Sequence, residues 1–237
     1  EPENILKVLD RFFSESRPLA GKHVMVTDGP TYERIDPVRF IGNYSTGKMG
    51  YAIADEAARR GAKVTLISGP VGIKPTVPEV EVVNVESARE MYAQCQRYFG
   101  DSDIAIMSAA VADYAPAEVA EKKIKREKDE IPQIRLVKNP DIAASLGKEK
   151  RPDQILVGFA LETNDEKSNA LDKLTRKNLD MIVMNSLRDA GAGFGTDTNK
   201  ITVFTRDGAS KEFPLKSKAE VACDIRDGIA GLPQNKK

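Results

Sequence analysis

Residues 29–50 read GPTYERIDPVRFIGNYSTGKMG and hold the densest set of groups able to do chemistry in this chain. Gly42 to Lys48 has GxxxxGK spacing, in which backbone N–H groups at a helix start and one lysine can hold a phosphate. Met49 stands where a Ser or Thr would supply a magnesium-binding hydroxyl, so the Walker A pattern is incomplete. A glycine-rich turn with an N-cap at Ser45 or Thr46 accounts for the glycines equally well. It does not account for Asp36, Arg39 and Asn43 together.

Other stretches place polar groups where a site could use them. Asp113 follows the apolar run Ile104–Ala110, at a strand's C-terminal end, where α/β folds put their ligands; its carboxylate suits a hydroxyl, a metal or a loop cap. Lys122, Lys123, Lys125 and Arg126 form a basic run that reads as a solvated face or, above a phosphate site, as a source of positive charge. Asn139-Pro140-Asp141-Ile142 opens a short helix whose first N–H groups can meet an acceptor, with an ordinary cap as the plainer reading. Gly191–Gly195 (GAGFG) lacks the following helix of a dinucleotide fingerprint and reads as a mobile loop. The glycosylation triplet Asn43-Tyr44-Ser45 has no meaning without a secretion signal.

The elements that must position these groups alternate. Apolar runs predict strands at His23–Thr27, Val64–Ser68, Val80–Val85, Ile104–Ala110, Ile155–Ala160 and Met181–Met184. Helical spacing predicts helices at Lys48–Arg60, closed by Gly61, at Ala88–Phe99 and at Glu166–Asn178. The charged stretch from Asp113 to Val137 interrupts this rhythm and reads as a flap ending in a strand at Ile134–Val137. Ile201–Thr205 and Lys211–Pro214 flank a two-residue Asp207-Gly208 turn, and a last helix runs over Lys218–Ile229. The fold class is α/β: a three-layer, Rossmann-like, mostly parallel sheet with helices on both faces, a flap and a small C-terminal β-hairpin. Residues 1–18, with apolar positions Ile5, Val8, Leu9, Phe12 and Phe13, read as a linker helix, and 19–237 as one domain.

Composition excludes whole classes of function. With 237 residues, 36 basic and 36 acidic side chains and 41% hydrophobic residues, the chain can bury a core and has no global field for nucleic acid. The single histidine, His23, starts the run HVMVT and reads as structural, which removes His triads and multi-His metal sites. Cys95 and Cys223 stand far apart, so neither zinc nor a disulfide framework is suggested. No apolar stretch approaches the ~20 residues needed to cross a bilayer. A reducing cytoplasm is the expected compartment.

Taken in order, GPTxExIDPVRxxxN, STGKMG, AAVADY, KIK, NPDI and GFALET resemble the bacterial phosphopantothenoylcysteine synthetases of coenzyme A biosynthesis, over Leu19 to about Leu232. The resemblance implies a ligase that joins 4′-phosphopantothenate and L-cysteine through an acyl-cytidylate, converting CTP to CMP and pyrophosphate. It implies a nucleotide site of Met107, Ser108, Ala109, Asp113, Lys123, Pro140, Asp141, Ile142, Ala143, Phe159, Lys173 and Lys177. It implies an acid-substrate site of Arg39, Asn43, Ser45, Thr46, Gly47 and Lys48, with Asn43 and Lys123 catalytic. Mg²⁺ would be held mainly by the triphosphate, the flap from about Pro116 to Glu130 would close over phosphopantothenate, and a homodimer is implied. Family members are often fused to an N-terminal flavin-dependent decarboxylase, so no flavin is expected in this chain. Asp28 departs from the pattern, standing where the family usually has a small residue. A P-loop-like ATPase or kinase and a nicotinamide-binding oxidoreductase are the alternatives; Met49 opposes the first, and the lack of GxGxxG after the first strand opposes the second.

Overall fold

The computed structural model describes residues 17–125, 133–162, 165–186, 189 and 191–232. The linker helix expected within residues 1–18 falls almost wholly outside them, as does Arg126 of the basic run.

Eight strands form the central sheet: β1 (His23–Asp28), β2 (Lys63–Ser68), β3 (Glu81–Asn84), β4 (Ile104–Met107), β5 (Ile155–Glu162), β6 (Met181–Ser186), β7 (Thr202–Thr205) and β8 (Ser210–Glu212). Their spatial order is β8-β7-β6-β5-β4-β1-β2-β3. The six strands from β3 to β6 pair in parallel, whereas β7 and β8 add an antiparallel edge. The C-terminal hairpin is therefore the continuation of the main sheet. Its loop has three residues rather than two: Thr205 N–H donates to the Ala209 carbonyl, and Gly208 takes the left-handed conformation at φ 88°.

Alternation in the strands builds two cores. Val24 and Val26 of β1 and Ile104 and Ile106 of β4 face one cluster, and Met25, Ala105 and Met107 face the other. The first is covered by α1 (Lys48–Arg59) and α5 (Lys218–Ala230), through Tyr51, Ile53, Val221 and Ile225. The second is covered by α2 (Ala88–Phe99), α3 (Ile142–Glu149) and α4 (Glu166–Arg176), through Met91, Cys95, Leu146, Ala170 and Leu174. Strands buried on both faces are why their sequences are continuously apolar. Both α2 and α5 start with a full capping box, Ser87 with Glu90 and Ser217 with Glu220.

The strand order reverses between β1 and β4, so connections from these two neighbours leave toward different faces. That reversal opens a crevice beyond their C-terminal ends.

Candidate functional site

Beyond the sheet, the segments after β1 and β4 run on side by side. Ser108 N–H donates to the Thr27 carbonyl, Ala110 N–H to Gly29, and Thr31 N–H to Ala110. The predicted strand Ile104–Ala110 is thus a ladder strand to Met107, extended by these loop bonds. Two buried hydroxyls fix its end: Ala109 N–H donates to Thr27 Oγ1 at 3.4 Å, and Ala112 N–H to Thr31 Oγ1 at 3.0 Å. Asn139 then ties α3 to the same segment, its Nδ2 donating to the Ala112 carbonyl at 2.9 Å.

Between these elements lies a cavity of about 210 Å³. Of the expected nucleotide residues, Met107, Ala109, Asp113, Pro140, Asp141, Ile142, Ala143, Phe159, Lys173 and Lys177 all line it. Ser108 and Lys123 do not. Asn139, which opens the predicted helix start, lines it too, as do Thr27 and Gly158, which the sequence does not single out, since nothing about a lone Thr or Gly in an apolar strand signals a wall. Asp141 is the N-cap of α3, accepting from Ala144 N–H at 3.1 Å, and it receives Lys177 Nζ at 2.9 Å. Burial pushes its carboxyl up, but Lys177 and the Ala144 N–H outweigh that and hold it below the ordinary aspartate value.

The donor set decides what kind of metal would fit. Asp113 and Asp141 are the carboxylates on the cavity, and the second is already committed to Lys177. Among the described residues no group of three His, Cys, Asp or Glu could hold an ion. This suits a divalent cation delivered on a triphosphate better than a resident one.

The loop before α1 departs from its expected geometry in several places. Its N-cap is Gly47, left-handed at φ 77° with no side-chain cap, rather than Ser45 or Thr46. The cap comes instead from β1: Gly50 N–H donates to Asp28 Oδ1 at 3.2 Å. Asn43 is exposed and has no positive φ, so a left-handed turn does not explain its residue type. Lys48 donates to Asp197 Oδ1 at 2.7 Å and to the Gly195 carbonyl at 3.1 Å. Lys218 of α5 donates to the Gly193 and Thr196 carbonyls at 3.3 and 2.5 Å. GAGFG, expected as a mobile loop, is thus clasped by two lysines, with Gly193 and Gly195, left-handed at φ 100° and 77°, turning carbonyls toward them and Gly191 accepting from Thr198 Oγ1 instead.

Asp36 organises the remainder. Its side chain is fully buried and accepts from Val38 N–H, Arg39 N–H, Arg39 Nε and Ile124 N–H at 2.8–3.2 Å, and from Arg39 Nη2. The Arg39 guanidinium is the main reason its carboxyl lies far below the usual carboxylate range. Arg39 Nη2 also donates to the Ile124 carbonyl at 2.9 Å, so the base of the flap is stitched to the IDPVR loop through both backbone groups of one residue. Lys123, exposed, is the neighbour of that anchored residue.

His23 has a structural role, its ring bridging Thr65 Oγ1 and the Asp101 carbonyl. Cys95 is buried, which pushes its thiol up to about 12, and both cysteines are free.

A family model described as the DNA/pantothenate metabolism flavoprotein C-terminal domain matches residues 19–232. The chain belongs to that family. Among relatives, it is 52% identical over 229 residues to a cysteine/cysteine sulfinic acid decarboxylase of an unknown prokaryotic organism, an alignment covering 95% of this chain and 64% of that protein. It is 48% identical over 234 residues to the coenzyme A biosynthesis bifunctional protein CoaBC of Bacillus subtilis (strain 168), covering 98% of this chain and 57% of that one. The chain therefore spans less than two thirds of the length of these relatives. A crystal structure of the C-terminal domain of a CoaBC protein superposes with a TM-score of 0.77 at 42% identity, over 90% of this chain and 96% of that domain. This member of the flavoprotein C-terminal domain family shares with it the mostly parallel sheet flanked by helices.

Proposed function

We propose that the chain is a CTP-dependent phosphopantothenate–cysteine ligase of coenzyme A biosynthesis. The observation that carries this reading is the cavity at the strand-order reversal, lined by ten of the twelve residues expected for a nucleotide, at the same sheet end as the Asn43–Lys48 loop. The likeness to CoaBC proteins supports it.

In this reading the nucleotide takes the cavity, its base beside Phe159, its ribose on Asp113 and its triphosphate toward Lys173 and Lys177. Mg²⁺ is part of that substrate and supplies charge neutralisation on the phosphates. The acid substrate lies along Arg39, Asn43, Ser45, Thr46, Gly47 and Lys48. A substrate carboxylate oxygen attacks the α-phosphorus and pyrophosphate leaves with the electron pair of the broken P–O bond. The cysteine amine then attacks the acyl carbon, loses a proton as the amide forms, and CMP departs. Asn43 can donate an N–H to the acyl-phosphate oxygen without offering a nucleophile, and Lys123, carried by the Ile124 anchor, adds positive charge as pyrophosphate separates. The flap excludes water from the activated acid.

A homodimer and a fusion to a flavin-dependent decarboxylase belong to the same proposal. Supporting the first, Val38, Phe40, Tyr44, Tyr114, Val119 and Leu136 are large apolar side chains left 47–90% exposed on and beside two small antiparallel pairs, Glu33–Arg34 with Phe40–Ile41 and Tyr114–Pro116 with Leu136–Lys138. Supporting the second, the relatives are much longer than this chain. Among the described residues no helix is long and apolar enough to cross a membrane, and the compartment proposed is the cytoplasm.

Pyrophosphate release tests the reading. It should require 4′-phosphopantothenate and run much faster with CTP than with ATP at subsaturating nucleotide. Release without the acid would point to a simple nucleotidase. Equal rates with both nucleotides would remove the cytidine assignment.

A further inference from the structure

Asp28 is the least conventional polar group in the molecule. It ends β1, is 2% exposed, and its Oδ2 has no hydrogen-bond partner among the described residues. That oxygen points at the α1 N-cap: a Cβ built on Gly47 would lie 2.8 Å from Oδ2, and one on Gly50 would lie 2.4 Å from Cγ. Only glycines at both positions allow the carboxyl to sit there, so the loop and Asp28 fit each other. The groups facing it are the Gly29 and Gly50 N–H groups, Ser108, Tyr51 of α1 and Lys218 of α5. Lys48 and Asp197 face Lys218 in turn. Both lysines are already engaged, with Asp197 and with the carbonyls of the GAGFG loop.

With Lys218 and Lys48 already bonded to the GAGFG loop and Asp197, the positive end of α1, which Asp28 faces directly, is a further attraction for an anion at the Asn43–Lys48 loop. A neutral carboxyl caps that end as an acceptor and leaves its charge in place. A carboxylate would cancel the charge and repel the incoming group. We propose that Asp28 is a positioning residue whose proton governs how tightly the Asn43–Lys48 loop holds an anionic substrate. The buried position agrees with this role: burial raises the carboxyl to about 8, against the pull of the two N–H groups, Lys218 and Ser108.

This inference rests on reading the loop as the acid-substrate site. The test is calorimetric binding of 4′-phosphopantothenate between pH 7 and 9.5, for the parent and Asp28→Asn, with turnover measured separately. A single group near 8 predicts that the parent's Kd rises about tenfold by pH 9, and that the Asn variant's does not. The ligand's own ionisations are common to both proteins and cancel in the ratio of the two Kd values, which leaves Asp28 and the groups coupled to it, Lys218 and Tyr51. Thermal melting gives a second readout. A folded-state value above the unfolded one means this group's stabilising contribution falls as pH rises from about 4 to about 8 and is constant beyond. The Asn variant should therefore gain on the parent across that window and run parallel above it. A Kd ratio that is flat with pH, or melting curves that do not diverge between pH 5 and 8, would overturn the proposal. Tight, pH-dependent binding without ligation would uphold it while removing the ligase reading. No binding by either protein would remove both.

Discussion

Gly147 offers the sharpest test of how α3 is placed. It lies buried in that helix, against the turn that ends α4: a Cβ there would stand 2.0 Å from the Lys177 carbonyl oxygen and 2.9 Å from its carbon. Backbone cannot swing aside as a side-chain tip can, and the Gly147 carbonyl accepts from Asn178 Nδ2 at 2.6 Å, which pins the same contact. Gly147→Ala must therefore push α3 away by about 1.5 Å, since unbonded heavy atoms need roughly 3.5 Å. Two effects oppose each other. Alanine is favoured over glycine in a helix interior by about 1 kcal/mol, whereas forced overpacking costs about 1–3 kcal/mol and more when backbone must move. With an overlap this deep the second wins, and a net loss of about 2 kcal/mol lowers Tm by roughly 4–8 °C in a chain of this size. The displaced helix and its N-terminal lead-in carry Pro140–Ala143, part of the wall of the cavity proposed for the nucleotide. A misplacement of this size, beyond about 1 Å, should raise KM for the nucleotide on the order of 10²-fold. Gly100→Ala is the control: its φ of −55° is helical and nothing lies within 4 Å of the added methyl, so Tm should hold or rise slightly. Differential scanning calorimetry and steady-state kinetics read both. A Gly147→Ala protein that melts with the parent and keeps its nucleotide KM would refute the argument.

Two further substitutions bear on the chemistry. Lys123→Ala should lose about 2–4 kcal/mol of transition-state stabilisation, seen as a fall in kcat/KM with melting unchanged because the side chain is exposed; parental kcat/KM would return this lysine to the solvated surface. Asn43→Asp should keep its Tm yet lose ligation, because the carboxylate lacks the N–H donor and repels phosphate; parental formation of phosphopantothenoylcysteine would remove Asn43 from the reaction.

What the sequence by itself determined is the layer architecture. Runs such as His23–Thr27 and Met181–Met184 have no polar alternation, which only a sheet covered on both faces allows, and α1 and α2 could be placed within a residue of their ends from period and caps. Ten residues of the cavity wall were named through the family resemblance that the ordered motifs carry; of these, only Asp113 and Pro140–Ile142 also sit at local signals, a strand end and a helix start, that need no knowledge of neighbours. Tertiary structure decided what the polar groups do. Lys48 was readable as an anion ligand, but its partner Asp197 lies 149 residues away. The α1 cap seemed to belong to Ser45 or Thr46, yet comes from Asp28, 22 residues earlier. Asp36 and Arg39 pair with each other within one loop, but that pair also holds Ile124, 88 residues beyond Asp36, which nothing local announces. Burial periodicity is written residue by residue along the chain. A hydrogen bond or ion pair needs two specific groups within about 3 Å, and only the closing of the sheet brings such distant loops that near.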